Sequence, residues 1–165
     1  MESLSIKANN EAQTLMLGAA LSAVTEPGMV VALIGPLGAG KTRLARSMAR
    51  SLGVPPDAVT SPTFVLIHEY PQGQLPIYHF DAYRIADLDE FAELGPEEYF
   101  DGDGICIVEW ADRVKDALPP DRIEIEIQVI GENERLFSVA ALGEAACRAL
   151  GKLTLIAESR GWLDR

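Results

Sequence analysis

The chain has 165 residues, of which 48% are hydrophobic and 24% charged, as expected of a folded domain rather than a disordered one. Its 25 acidic and 14 basic residues give a net charge of −11, which disfavours direct binding to the phosphate backbone of a nucleic acid. No run approaches the ~18 apolar residues of a membrane-spanning helix, and residues 1–10 lack the basic start and apolar run of a signal peptide.

Two cysteines, Cys106 and Cys147, lie in apolar surroundings without a C-x-x-C pair, so we expect free thiols in a reducing compartment. The sequence therefore predicts a cytoplasmic protein with no membrane association. We expect a single domain over residues 1–165, with a core of about 10–141 and a C-terminal extension of 142–165.

The first third of the chain predicts a helix, a strand and a second helix. Apolar residues at helical spacing indicate a helix over residues 10–25, with Asn9 or Asn10 as its N-cap. Residues 29–34 form a continuous apolar run, typical of a strand covered on both faces. A glycine-rich loop follows, and residues 41–52 predict a helix that Gly53 and two prolines end.

The remaining elements are shorter. Residues 88–100 predict a helix broken at Gly95-Pro96, and part of 144–165 predicts a helix with a frayed end. Residues 131–134 predict the turn of a hairpin between the last two strands. Five segments have the apolar or alternating pattern of strands: residues 64–70, 76–80, 104–109, 122–130 and 136–141.

The loop between the first strand and its helix is a phosphate-binding motif. Residues 35–42 read GPLGAGKT and match G-x-x-x-x-G-K-[ST] at every fixed position. The glycines let backbone N–H groups converge on phosphate oxygens, Lys41 reaches the terminal phosphates, and the Thr42 hydroxyl suits Mg²⁺. The predicted nucleotide-binding residues are Pro36, Leu37, Gly38, Ala39, Gly40, Lys41, Thr42 and Arg43.

This motif and the order of elements predict the fold class. Strands alternate with helices early, and a hairpin comes late. We expect a single α/β P-loop NTPase domain with a mixed, mostly parallel sheet, flanking helices and a C-terminal antiparallel hairpin.

Hydrolysis also requires a carboxylate for Mg²⁺ and a group that orients water. Glu109 follows the apolar run of residues 105–108, and Asp81 follows residues 77–80. Glu109 is favoured as the Mg²⁺ ligand together with Thr42, and Asp81 as the residue that orients water, although the two roles are interchangeable from sequence. Lys41, Asp81 and Glu109 are the predicted catalytic residues.

Three further features have two interpretations each. Thr60, Ser61 and Thr63 suit a mobile loop that senses the γ-phosphate, or a plain turn. Trp110 suits contact with a nucleotide or a partner, or core packing. His79 has no second metal ligand at metal spacing, which favours a packed or hydrogen-bonded histidine over a catalytic one.

Five ordered motifs together resemble the TsaE (YjeE) family, small bacterial P-loop ATPases that are needed to make threonylcarbamoyladenosine in tRNA. The resemblance covers about residues 10–140. The motifs are GPLGAGKT at 35–42, VTSPTF at 59–64, HFDAYR at 79–84, EYFDGDG at 98–104 and VEW at 108–110.

The resemblance implies a cytoplasmic ATPase that uses ATP and Mg²⁺ and acts with the TsaB and TsaD proteins, with TsaD carrying the transferase chemistry. It implies that tRNA is reached only indirectly, through these partners, which agrees with the acidic charge of the chain. It also implies that residues 35–42 bind the nucleotide, that residues 60–63 form a switch-like segment, and that Asp81 and Glu109, beside Trp110, are the functional acids.

Other nucleotide-binding classes are weighed by their motifs. The chain lacks the Asn-Lys-x-Asp element of a GTPase and the Leu-Ser-Gly-Gly signature of a transporter ATPase. A small-molecule kinase and a nucleotide sensor that does not hydrolyse its ligand remain as alternatives.

Overall fold

The computed structural model of the chain describes residues 1–59 and 66–164. These residues form the strands β1 (Glu2–Ala8), β2 (Val30–Ile34), β3 (Ile67–Tyr70), β4 (Ile77–Asp81), β5 (Ile105–Glu109), β6 (Arg122–Val129) and β7 (Arg135–Leu142). They also form the helices α1 (Glu11–Val24), α2 (Lys41–Ser51), α3 (Leu88–Glu93), α4 (Pro96–Phe100) and α5 (Glu144–Arg160), and a 3-10 helical segment (Ala111–Ala117).

The strands make one mixed sheet in the order β1-β7-β6-β2-β5-β4-β3. The four strands β6, β2, β5 and β4 pair in parallel, and β7, β1 and β3 join the two margins by antiparallel pairing. The mixed, mostly parallel sheet with its antiparallel β6–β7 hairpin confirms the predicted fold class.

Both faces of the sheet are covered, as the continuous apolar run of the central strand β2 requires. In β2, Val31 and Leu33 belong to a core that includes residues of α1, α2 and α5. Val30 and Ala32 belong to a second core, which includes residues of α3, α4 and the 3-10 segment. As a result, β2 lies at the centre of the sheet with its C-terminal end at the glycine-rich loop.

Most of the predicted elements are confirmed to within a few residues. Asn10 caps α1, since its side chain accepts a hydrogen bond from the Gln13 N–H at 2.9 Å. The predicted helix of residues 88–100 is divided at Gly95-Pro96, as expected. No helix within residues 1–59 and 66–164 has the length and apolarity needed to cross a membrane.

The two ends of the chain differ from the prediction. Residues 1–8, to which no element was assigned, contain β1 (Glu2–Ala8), which pairs with β7 and buries Ile6 and Ala8. The frayed end predicted after the last helix is wrong for residues 161–164. The Lys7 N–H donates to the Trp162 carbonyl, and the Asp164 N–H donates to the Ser5 carbonyl, both at 3.0 Å. The chain end therefore covers the outer edge of β1.

Close packing of α1 on α2 gives a testable prediction at Gly18. A Cβ added there would meet the Ser47 Oγ at 2.4 Å and its Cβ at 2.6 Å. We therefore expect Gly18→Ala to lower the free energy of unfolding by about 1–3 kcal/mol, measured by urea titration. The matched control is Gly151→Ala in α5, where the new Cβ meets nothing within 4 Å and helix propensity adds about 0.5–1 kcal/mol. Stabilisation by both substitutions would contradict this packing.

Candidate functional site

The glycine-rich loop of residues 35–40 joins the end of β2 to the start of α2, and its glycines have different roles. A Cβ at Gly35 would meet the Ile127 carbonyl oxygen at 2.8 Å, so this position requires close backbone approach to β6. Gly38 and Gly40 have φ of +79° and +108°, where a side chain is strained, and a Cβ at either would meet nothing within 4 Å. One end of the loop, at Gly35, therefore packs against β6, whereas the positions of Gly38 and Gly40 are open.

The open side of the loop faces a cleft of about 580 Å³ that contains most of the predicted site residues. Of the residues predicted from sequence, it is lined by Leu37, Gly38, Gly40, Lys41, Thr42, Arg43, Asp81, Glu109 and Trp110. Pro36 and Ala39 do not line it, and the Ala39 side chain is buried in the core. The topology therefore brings the loop and both predicted acids together.

Lys41 begins α2 and is 4% exposed. Its Nζ donates hydrogen bonds to the carbonyls of Gly35 (2.6 Å) and Pro36 (2.9 Å) and lies 3.8 Å from the centre of the Trp110 ring. Burial lowers the pKa of Lys41, and nearby carboxylates, Glu109 first among them, oppose that shift. The ammonium is thus held at the loop in a partly desolvated position, where its attraction to a phosphate is strong.

Glu109 ends β5 and is 2% exposed. Its Oε1 accepts a hydrogen bond from the Thr42 hydroxyl at 2.7 Å, and its Oε2 lies 2.5 Å from the His79 Nε2. Burial alone would raise the pKa of Glu109, but the hydrogen bond and charge of His79, the Thr42 hydroxyl and Lys41 outweigh it, so the pKa is below its ordinary value. The carboxylate is therefore ionised, and the hydrogen-bonded interpretation of His79 is confirmed.

Asp81 ends β4, next to Glu109, because β4 and β5 are parallel and these two residues are paired across them. Its Oδ1 accepts a hydrogen bond from the Tyr83 N–H at 3.0 Å. Burial raises the pKa of Asp81, and the negative charge of Glu109 adds to the rise. The two acids consequently differ: Glu109 is held as a carboxylate, whereas Asp81 is the more basic of the two and the better proton acceptor.

An aromatic pair forms the side of the cleft near these acids. The rings of Tyr83 and Trp110 lie 4.8 Å apart, and the Arg113 guanidinium lies 5.8 Å from the Trp110 ring. Trp110 has a φ of +57°, which is unusual for a bulky residue and sets its ring against the Lys41 ammonium. Trp110 also packs against the second core, in agreement with the core-packing interpretation, and its contact with a nucleotide or a partner stays a prediction.

Several residues that line the cleft were not predicted: Leu15, Arg46, Ser47, Arg50 and Tyr83. Arg46 and Arg50 follow Thr42 by four and eight positions, and this helical spacing was the available signal. The sequence between Glu26 and Asp57 contains no acidic residue, so α2 is positive in an otherwise acidic chain. Tyr83 and Leu15 had no comparable signal.

A nucleotide with a divalent cation fits this cleft. The Arg46 Nε is buried without a hydrogen-bond partner in the described part of the chain, which leaves a donor for an anionic ligand. No group of three or more His, Cys, Asp or Glu in residues 1–59 and 66–164 is placed to hold a metal ion. The Thr42 hydroxyl and the Glu109 carboxylate are oxygen ligands that would hold Mg²⁺ together with phosphate oxygens, the usual mode for this ion. The predicted switch residues Thr60, Ser61 and Thr63 lie outside the described residues.

A G-x-x-x-x-G-K-T loop between a central parallel strand and a helix, with carboxylates at the ends of the next two strands, β5 and β4, defines the P-loop class of α/β domains. Within that class, the family model described as "Threonylcarbamoyl adenosine biosynthesis protein TsaE" matches residues 8–137. The chain belongs to the TsaE family, whose role is in the biosynthesis of threonylcarbamoyladenosine in tRNA.

Individual relatives of this chain are named as TsaE proteins. The chain is 40% identical over 155 residues to the tRNA threonylcarbamoyladenosine biosynthesis protein TsaE of Bacillus subtilis (strain 168), covering 92% of this chain and 96% of that protein. It is 36% identical over 145 residues to the TsaE protein of Haemophilus influenzae, covering 85% and 91%. The fold is similar to the crystal structure of Bacillus subtilis YdiB, with a TM-score of 0.80, 35% identity and coverage of 94% and 96%.

Proposed function

We propose that this chain is a cytoplasmic, Mg²⁺-dependent ATPase that acts with TsaB and TsaD in the threonylcarbamoyladenosine modification of tRNA. One observation carries the proposal: the phosphate-loop residue Thr42 is hydrogen-bonded to the buried carboxylate of Glu109, directly beside the Lys41 ammonium. This arrangement supports the proposal, because phosphoryl transfer requires a nucleotide-binding loop and Mg²⁺ ligands at one point.

Each residue of the cleft has a separate role in the proposed reaction. The N–H groups at the start of α2 have no partner within the helix and can bind phosphate oxygens together with Lys41. Thr42 and Glu109 would hold Mg²⁺, which when bound offsets the charge of the phosphates. His79 keeps the Glu109 carboxylate ionised and in place. Asp81, with its raised pKa, orients the attacking water and can take its proton.

Two properties of the sequence support ATP as the nucleotide and an indirect contact with tRNA. The absence of the Asn-Lys-x-Asp element favours ATP over GTP. The net charge of −11 disfavours direct binding to tRNA, so the partner proteins make the contact with tRNA.

Hydrolysis by the chain alone should be slow. The arginines lining the cleft, Arg43, Arg46 and Arg50, all come from α2, and none of them is assigned as an arginine that reaches the transferring phosphate. An arginine supplied to the transferring phosphate accelerates hydrolysis by about 10³–10⁵, which leaves room for strong stimulation by partners.

The test is ATP hydrolysis by the purified chain with Mg²⁺, alone and after addition of TsaB and TsaD. We expect a low basal rate and a stimulation of at least about tenfold, which Asp81→Asn removes without weakening ATP binding. Fast turnover without partners would contradict the partner-dependent mechanism. Intact ATP binding without stimulation would favour the kinase or the sensor instead.

A further inference from the structure

Arg135, the first residue of β7, connects the β6–β7 hairpin to the back of the phosphate loop. Its Nε donates a hydrogen bond to the Ala39 carbonyl at 2.9 Å. One terminal nitrogen of the same guanidinium donates to the carbonyls of Gly131 (3.1 Å), Glu132 (3.3 Å) and Glu134 (3.0 Å) in the hairpin turn. A single side chain therefore holds two segments that are 96 positions apart in sequence.

The bond to Ala39 fixes the direction of a phosphate-loop donor. In a trans peptide the carbonyl and the following N–H point in opposite directions, so the Ala39 carbonyl and the Gly40 N–H are oriented together. Arg135 and Ala39 do not line the main cleft but a smaller pocket, whereas Gly40 lines both. The Gly40 N–H, opposite to the carbonyl that Arg135 binds, is therefore able to face the main cleft.

Little else in the loop determines this orientation. Gly40 has a φ of +108°, and glycine adopts positive and negative φ with similar ease, so the Ala39–Gly40 peptide can turn over at small steric cost. The neighbouring Ala39 N–H is bonded to the Pro36 carbonyl at 3.1 Å, which fixes the preceding peptide but not this one. The charge-assisted bond from Arg135 is the interaction that selects one orientation.

We propose that Arg135 is a positioning residue for nucleotide binding, and that it sets the Gly40 N–H toward the phosphate through the Ala39 carbonyl. The hairpin turn of residues 130–134 takes part in this function because its carbonyls hold the guanidinium. The inference rests on the proposed nucleotide-binding function and assigns that function a support outside the phosphate-loop motif.

The first experiment measures ADP binding to the full chain by isothermal titration calorimetry in the presence of Mg²⁺. We expect Arg135→Gln to weaken binding about tenfold, which corresponds to about 1.4 kcal/mol. Arg135→Lys should restore only part of the affinity, because one ammonium cannot span both the loop and the hairpin. The control is Arg148→Gln, which removes an exposed, ion-paired arginine of α5 and should leave the affinity unchanged.

A second variant keeps Arg135 and shortens the hairpin turn whose carbonyls bind its guanidinium. Replacing residues 130–134 by Asn-Gly retains the pairing of Val129 with Arg135 and closes the hairpin with a two-residue turn. The carbonyls of Gly131 and Glu132 are then lost, while the new glycine replaces only that of Glu134, and we expect ADP binding to weaken in the same direction as in Arg135→Gln. An unchanged affinity in this variant would contradict the part assigned to the hairpin.

The amide signal of Gly40 in the NMR spectrum of the ligand-free protein separates positioning from general destabilisation. We expect it to move in Arg135→Gln and to stay unchanged in Arg148→Gln. Weaker ADP binding with an unmoved Gly40 signal overturns the proposal, and so does a moved signal with wild-type affinity. If the wild-type chain binds no ADP, the proposed function fails, and the Gly40 signal alone then decides whether Arg135 orients the loop.

Discussion

Lys41→Ala is expected to weaken the binding of ATP and of ADP by at least about 100-fold while the protein stays folded. A charged hydrogen bond contributes about 1.5–3 kcal/mol, and the Lys41 ammonium is positioned to make more than one such bond to phosphate oxygens. The ammonium already lies against the loop, so its loss removes an interaction for which little rearrangement is needed. Calorimetric titration with each nucleotide measures the effect.

The fold should survive this substitution because Lys41 supports the loop and not the core. Its loss leaves the carbonyls of Gly35 and Pro36 without the ammonium, but it also removes a desolvated charge, so the two effects oppose each other. The control is Lys152→Ala, which removes an exposed lysine paired with Glu26. Wild-type ATP affinity in Lys41→Ala would refute the nucleotide-binding assignment of residues 35–42.

The parts of the site that were predictable are those encoded locally. The apolar run of β2, the loop motif and α2 are contiguous, so one stretch of sequence specifies them. The proximity of Asp81 and Glu109 was also predictable, since carboxyl ends of parallel strands meet at one edge of a sheet. The bond between Thr42 and Glu109 follows from these two local patterns brought together by β2 and β5.

The parts that were not predictable depend on contacts between distant segments. β1 buries only Ile6 and Ala8 completely, too few for a clear alternation, and its place is set by pairing with β7 more than 120 positions away. The conformation of residues 161–164 depends in turn on β1, because their hydrogen bonds are made to the edge of that strand. Arg135 had no signal at all, because an arginine at the start of a strand gives no indication of a bond to Ala39.

Glu109→Gln is expected to lower ATP hydrolysis by about 100-fold or more, the scale seen when one electrostatic contact to a reacting centre is removed. The substitution keeps the shape of the side chain but removes the negative charge that pairs with His79 and would hold Mg²⁺. We also expect Mg²⁺ to enhance ADP binding less in this variant than in the wild type. Steady-state hydrolysis and titrations with and without Mg²⁺ measure the two effects.

A matched control is available in Asp112→Asn. Asp112 is an exposed acid whose charge also reaches Lys41, but it does not line the cleft. This variant should hydrolyse ATP at close to the wild-type rate. Equal losses in Glu109→Gln and Asp112→Asn would indicate a general change in charge around Lys41 and would contradict a specific role for Glu109.

The pH dependence of stability gives the same residue a second test. The pKa of Glu109 is lower in the folded chain than its ordinary value of 4.5, so the unfolded state binds more protons in the interval between the two values. The stabilisation linked to this group is therefore present above about pH 4.5 and is lost as the pH falls through the lower folded-state pKa. Glu109→Gln lacks this group, so its free energy of unfolding should fall less steeply on acidification than that of the wild type. Parallel pH profiles would show that the ionised carboxylate held by His79 and Thr42 does not stabilise the fold.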